Sequence, residues 1–271
     1  MEIERVTNPP TFSIIGTGFI APRHIQSIYT VGGKIIDVVN TAYGLSHWRT
    51  VIENTSARYI VILTPNDLHM PMSYCAAEAG KEVLCEKPAT IRVGDAVRLC
   101  ALRNVYTVLQ LRYHPLVEKI KQAIQYREYN YITMNISVYR DERYCNSWKG
   151  DSARSGGILF NLGIHYFDML LHLFGPATVV SLGKSDGKTA QGAVEGENYF
   201  CHWTVSTAAP RDKQQRAFFI NGIDYNFSSA DNLSYENLHK YVYEALLNGN
   251  CHTIQDALPA IELIERIYDS V

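Results

Sequence analysis

Uninterrupted apolar runs punctuate the first hundred residues at regular intervals. FSIIG from Phe12, KIIDVV from Lys34, YIVILT from Tyr59, EVLCE from Glu82 and YTVLQL from Tyr106 show little polar alternation. That is the pattern of strands covered on both faces of a parallel sheet. Between them HIQSIYTV, LHMPMSYCAAEAG and VGDAVRLCALR carry apolar residues at helical spacing, and Gly80 stands where the second of these should stop. Strand and helix alternate, which predicts an α/β domain over residues 1–112.

The pattern changes after Pro115. YITMNISVYR, ATVVSLG, NYFCHWTVS and QRAFFINGIDYNFS alternate polar and apolar positions with few helical stretches between them, as expected of a large, mostly antiparallel sheet with one open face. Helices are predicted from Pro115 to about Gln125, from Phe160 to Phe174 ahead of a Gly-Pro stop, from Ser234 to Asn248 and from Ile254 to Ile267. Residues 113–271 therefore read as an α+β domain, and no internal repeat is visible.

Composition narrows the function classes. With 46% hydrophobic and 19% charged residues the chain has a globular balance, and its net charge of −2 comes without any Lys/Arg run. Neither a nucleic-acid backbone nor an anionic membrane is an expected partner. The start MEIERVTNPP mixes acids and bases, and no apolar run looks long enough to span a bilayer, so a cytoplasmic location is expected. Six cysteines, Cys75, Cys85, Cys100, Cys145, Cys201 and Cys251, are scattered without a CxxC pair and read as small buried hydrophobes. No His/Cys/Asp spacing suggests a metal.

GTGFIA follows the first strand and opens a helix. Gly16 permits a tight turn, Gly18 lets a pyrophosphate approach the backbone, and Ala21 lets helix and strand pack closely. With Phe19 and Ile20 these residues form a dinucleotide cradle at a helix N-terminus, the mark of a Rossmann nucleotide-binding domain. An acidic residue is expected roughly 20 residues on to hold the adenosine ribose, but Asn40 occupies that place and Asp37 comes three residues too early. The preference leans to NAD. The stretch from Asn40 to Tyr59 is too short for the usual helix and third strand, so the nucleotide domain is abbreviated around 41–59.

TPNDLH, with Thr64, Pro65, Asn66 and His69, and EKP, with Glu86, Lys87 and Pro88, are more specific than the glycines. With GTGFIA they resemble the signatures of the glucose–fructose oxidoreductase/inositol dehydrogenase (Gfo/Idh/MocA) family. LQLRYHP, SWKGD and SGGILFNLGIHYFDMLLHLFG are similar to the subgroup that oxidises the C3 hydroxyl of UDP-N-acetyl-2-amino-2-deoxyglucuronate, including Asn161 where many relatives have Asp. The resemblance covers the whole chain. It implies an NAD-dependent sugar-nucleotide dehydrogenase, a homotetramer formed through the open sheet face, and reoxidation of NADH by a 2-oxo acid such as 2-oxoglutarate. It also adds Gln110 to the cofactor set.

Oxidising a secondary alcohol needs a base for the hydroxyl proton while hydride leaves for nicotinamide. Lys87, buried at a strand end beside a cationic ring, should have a lowered pKa. His165 and Asn161, four residues apart on the predicted helix, face one way, and Asp168 could orient the imidazole or cap a contact behind it. Lys87 or His165 is the base, or the two share the proton. Arg112, Trp148 and Lys149 are candidates for the anionic part of the substrate, and His239 matches the subgroup without an evident role. His69 is expected near the nicotinamide ribose, and His172 is read as structural. Two alternatives remain: a dehydrogenase of another sugar or polyol, and an NAD-binding regulator without catalysis.

Overall fold

The protein is described from a computed structural model that covers residues 8–40, 47–227 and 235–270. The first part of the chain runs β1 (Thr11–Ile15), α1 (Ala21–Thr30), β2 (Lys34–Val39), α2 (His47–Asn54), β3 (Tyr59–Ile62), α3 (His69–Glu78), β4 (Glu82–Cys85), α4 (Val93–Cys100) and β5 (Val105–Thr107). All pairings are parallel and the strand order is β2-β1-β3-β4-β5. The apolar runs are the strands because helices cover the sheet on both faces; every residue of β3 is buried. Order reverses between β1 and β3, which opens a crevice at their carboxyl ends where ligands of such sheets bind.

Among the described residues one eight-residue helix, α2, lies between β2 and β3, and no strand flanks β2 on its outer side. Residues 41–46 of that region lie outside the described residues, as do the N-terminal MEIERVT and Ser234.

The second part runs α5 (Pro115–Ile124), β6 (Asn130–Ser137), α6 (Glu142–Cys145), α7 (Ser152–Ser155), α8 (Ile164–Phe174), β7 (Ala177–Ser185), β8 (Thr189–Gly196), β9 (Tyr199–Ser206), β10 (Gln215–Ile220), β11 (Ile223–Asn226), α9 (Tyr235–Leu247) and α10 (Ile254–Asp269). The sheet order is β11-β10-β6-β9-β8-β7. Hairpins make its outer pairs antiparallel, whereas the central pair β6–β9 is parallel. The sheet is mixed because the chain leaves β6, builds α8 across one face and returns through β7 and β8. Alternation along β6 and β9 sends Met134, Ile136, Cys201 and Trp203 under α8. On the other face Tyr131 is 68% exposed, beside an apolar groove of about 760 Å³ that includes Phe200 and Phe219.

One expectation needs correction. The helical stretch Ser152–Phe174 is long and apolar enough to cross a bilayer by length and composition alone, and most of it is buried inside the protein. It is apolar because α8 sits between the sheet and α10, with Phe167 edge-on to Trp203 at 5.4 Å. Of the cysteines, Cys85, Cys201 and Cys251 are buried as expected, whereas Cys75 and Cys100 are half-buried and Cys145 is exposed. The closing helices reach back to the first part: α9 packs on α1, α10 packs on α4 as well as on α8 and β7, and Glu265 accepts a hydrogen bond from the Val93 N–H at the start of α4. One continuous apolar core therefore joins the two parts.

Phe167 is fully buried at the centre of this contact. Phe167→Ala is expected to lower unfolding stability by about 3–5 kcal/mol, read as a shift of the urea midpoint at unchanged slope.

Candidate active site

A cleft of about 910 Å³ lies at the carboxyl ends of β1 and β3 and is walled on its far side by the segment between β6 and α8. Gly16 ends β1 with φ +110°, and its N–H donates to the Val39 carbonyl at 2.8 Å. A Cβ there would lie 2.6 Å from the Leu63 carbonyl, so only glycine fits. Gly18 is different. A Cβ there would meet nothing within 4 Å, and no side chain caps the start of α1. The turn is thus held open towards the cleft and fits a dinucleotide's phosphates at a helix N-terminus. Phe19 is 78% exposed at its lip, Ile20 and Asn40 line it, and Ala21 is buried in the core beneath. Asp37 accepts hydrogen bonds from the hydroxyls of Ser13 and Thr55 at 2.7 and 2.6 Å, which makes it a brace for β2.

The TPN turn forms the cleft floor. Thr64 and Pro65 line it, and Asn66 donates across to the Ser155 carbonyl at 2.8 Å. His69 contacts the Pro88 carbonyl through Nδ1 at 2.6 Å and the Thr64 carbonyl through Nε2 at 2.9 Å. Two carbonyl partners require two N–H donors. Burial opposes the charge, but Cys85 and the two carbonyls outweigh it and raise the pKa to about 9. His69 lines the cleft, with both ring nitrogens engaged by carbonyls that hold the strand ends together.

Lys87 follows β4, and its peptide bond to Pro88 is cis. Its ammonium donates to the Asn161 carbonyl at 3.4 Å. Burial, opposed by Glu86 and reinforced by Lys149 and Arg140, lowers its pKa to about 8. Asn161 is presented by a π-helical turn, Leu159–Gly163, that runs directly into α8. Sequence periodicity predicts α-helix from Phe160; the wider turn replaces its first residues, a deviation common at functional sites. His165, one residue into α8, has Nε2 at 3.5 Å from Gln110 Nε2. Burial and the Lys87 charge keep its pKa well below the usual value, so the ring is neutral and its Nε2 can accept from Gln110. Lys87, Asn161, His165 and Gln110 therefore meet in the cleft.

Behind Lys87 lies a buried polar network. Glu86 accepts from the Lys87 N–H at 3.1 Å and lies 3.0 Å from His24 Nε2 and 3.5 Å from His239 Nε2. Burial disfavours its charge, yet His239 and His24 hold its pKa well below the usual carboxylate range. Burial also keeps His24 neutral, so its Nδ1 accepts from the Tyr243 hydroxyl at 2.8 Å while Nε2–H donates to Glu86. His239 also lines the cleft, touches Glu86 and stacks edge-on against His24 at 4.8 Å.

Residues 11–111 match the oxidoreductase family's NAD-binding Rossmann fold and residues 127–211 its C-terminal alpha/beta domain. The chain belongs to the Gfo/Idh/MocA oxidoreductase family. Its first part carries that family's NAD-binding Rossmann fold. It is similar to the WlbA dehydrogenase of Thermus thermophilus, solved with NAD and UDP-GlcNAcA, at 28% identity and TM-score 0.84 over 97% of this chain and 95% of that one. The same enzyme solved with NAD and alpha-ketoglutarate gives 28% and 0.84, covering 95% and 94%. The uncharacterized oxidoreductase YrbE of Bacillus subtilis is 28% identical over 60% of this chain and 53% of its own length. Levoglucosan dehydrogenase of Pseudarthrobacter phenanthrenivorans is 29% identical over 50% and 38%. The chain thus spans about half the length of YrbE and less of the second relative.

In this member of the Gfo/Idh/MocA family two expected site residues lie elsewhere. Arg112 donates to both Asp168 oxygens, at 3.0 and 2.6 Å, and to the Asp256 carbonyl at 2.8 Å. Arg112 is therefore engaged within the protein, and Asp168 orients Arg112, not the His165 imidazole. Helical spacing put Asp168 on a neighbouring face of α8 but could not reveal a partner 56 residues away. Trp148 and Lys149 do line the cleft, together with Arg140, Tyr144 and Arg216, which sequence reasoning passed over. Arg140 and Tyr144 stand only a few residues before SWKGD, and that proximity was the signal available.

Gly16→Ala is expected to cost about 1–3 kcal/mol of stability through strain alone, seen as a lowered Tm. Gly18→Ala is expected to leave Tm unchanged while weakening NAD binding about tenfold or more, about 1.4 kcal/mol, measured by NADH fluorescence titration. Arg112→Ala leaves Asp168 buried without its cation and is expected to cost about 3–5 kcal/mol, and Asp168→Asn added to it should recover part of the loss in urea denaturation.

Proposed function

We propose that this protein oxidises the C3 hydroxyl of a UDP-N-acetylaminosugar uronate, with NAD as hydride acceptor. The observation that carries the reading is the meeting of Lys87, from the nucleotide domain, with Asn161 and His165, from the π turn and α8, in the cleft that also holds the glycine turn. The similarity to an enzyme solved with NAD and UDP-GlcNAcA supports the substrate class.

When bound, nicotinamide supplies the hydride acceptor. Lys87 removes the hydroxyl proton at Nζ: a pKa of about 8 leaves a useful neutral fraction near physiological pH, whereas a base works poorly when its pKa is far below. Neutral His165, its Nε2 taken up by Gln110, donates from Nδ1 to the same oxygen and so orients the alcohol. Gln110 fixes the ring from behind. Glu86 tethers the Lys87 backbone and, being negative, sets how far the ammonium pKa falls. The reverse sequence, with Lys87 returning the proton, reduces a 2-oxo acid such as 2-oxoglutarate and regenerates NAD. In the same reading, a second copy covers the apolar outer face of the second sheet, and four copies form the working assembly.

The test is turnover of UDP-GlcNAcA, UDP-N-acetylglucosamine, myo-inositol and levoglucosan with NAD, followed by NADH formation. Preference for UDP-GlcNAcA supports the reading, and preference for a free polyol replaces it with another member of the family's chemistry. Lys87→Met is expected to lower kcat by about 10²–10⁴-fold while NAD still binds. Because the base must be neutral, activity should rise as pH passes through about 8. Glu86 raises the Lys87 pKa, so Glu86→Gln should move that acidic limb to lower pH in a kcat/KM profile.

A further inference from the structure

Two half-buried cations share one ring on the wall of the cleft. The Arg140 guanidinium lies 5.2 Å and the Lys149 ammonium 5.6 Å from the centre of the Tyr144 ring. Lys149 also lies 5.7 Å from the Trp148 ring and 5.9 Å from Phe19 on the glycine turn. Arg140 donates to its neighbour's carbonyl, Tyr139, at 2.9 Å. Among the described residues no ion pair joins either cation to a carboxylate, although Glu86 acts on Lys149 from a distance. Like charges gathered without a counter-ion in a partly desolvated wall repel one another, and an incoming anion relieves that repulsion.

Tyr144 adds a directed donor. Its oxygen accepts from Asn161 Nδ2 at 2.6 Å, which leaves the phenolic proton for another partner, and burial keeps the phenol protonated. We infer that Arg140, Tyr144 and Lys149 form a subsite for the carboxylate of the sugar, placed beside the reacting alcohol. A planar guanidinium with a neighbouring hydroxyl and ammonium matches the two oxygens of a carboxylate. The position beside the alcohol follows from two contacts: Asn161 bonds Tyr144 with its side chain and Lys87 with its carbonyl. Both cations also bear on the Lys87 ammonium and help to lower its pKa. The glycine turn, which fits the cofactor's phosphates, is reached only by the tip of Lys149 over Phe19.

This inference rests on the reading of the cleft as a sugar site, and its test does not depend on turnover. NAD-loaded protein is titrated calorimetrically with D-glucuronate, D-glucose and inorganic pyrophosphate. Glucuronate is expected to bind about tenfold or more tightly than glucose. Arg140→Gln and Lys149→Gln should each erase most of that preference, glucuronate affinity falling far more than glucose affinity, and Tyr144→Phe should reduce it several-fold. Equal affinity for the two sugars, undetectable glucuronate binding, or equal losses for both sugars in the variants overturns the subsite. Pyrophosphate that competes with glucuronate and depends on the same three residues assigns them to a diphosphate and overturns the carboxylate. If UDP-GlcNAcA is not oxidised while the glucuronate preference holds, the proposed reaction fails and the subsite stands.

Discussion

The bidentate pair between Arg112 and Asp168 fixes where everything else can be. Arg112 closes the nucleotide domain in a 3-10 turn, Asp168 sits on the helix that carries His165, and both side chains are almost wholly buried. Two charges removed from water hold only when each satisfies the other's hydrogen-bonding groups. The Asp256 carbonyl takes a further guanidinium proton and brings the start of α10 to the same point. Three segments distant in sequence are pinned within one turn of α8 from the imidazole. The gap between Lys87 and His165 is therefore a property of the domain junction and not of either domain.

The cleft is charged against the character of the whole chain. Among the described residues, a protein of net charge −2 lines it with Arg23, Lys87, Arg140, Lys149 and Arg216 and with one carboxylate, Glu86. Gathering like charges in such a wall costs stability. Glu86, almost wholly buried, is kept ionised by His239 and His24, so the fold itself supplies the negative charge beside Lys87. The lysine feels cations from the open side and an anion from the buried side. Its proton affinity reports the balance between them.

Much of this was legible in the sequence. Continuous apolar runs gave the five parallel strands because burial on both faces leaves no polar alternation, and GTGFIA, TPN and EKP stand in the structure at the ends of those strands. Local spacing could not show what long-range pairing decides. His69 satisfies two carbonyls, Asp168 binds Arg112, and β6 lies parallel to β9 because of partners far along the chain. Tyr144 was one of 18 tyrosines with nothing local to mark it. Its role in the site comes from a π-helical turn that periodicity reads as ordinary α-helix.

The position of β2 has a consequence outside the cleft. With no flanking strand among the described residues, β2 ends the first sheet and Val38 is half exposed. An open ladder invites a stray strand from another chain. Asp37 counters this: its carboxylate is held by the hydroxyls of Ser13 and Thr55, so a slip of β2 by one residue would turn it to the other face and break both hydrogen bonds. The aspartate that sits too early to grip a ribose guards the margin of the sheet against self-association.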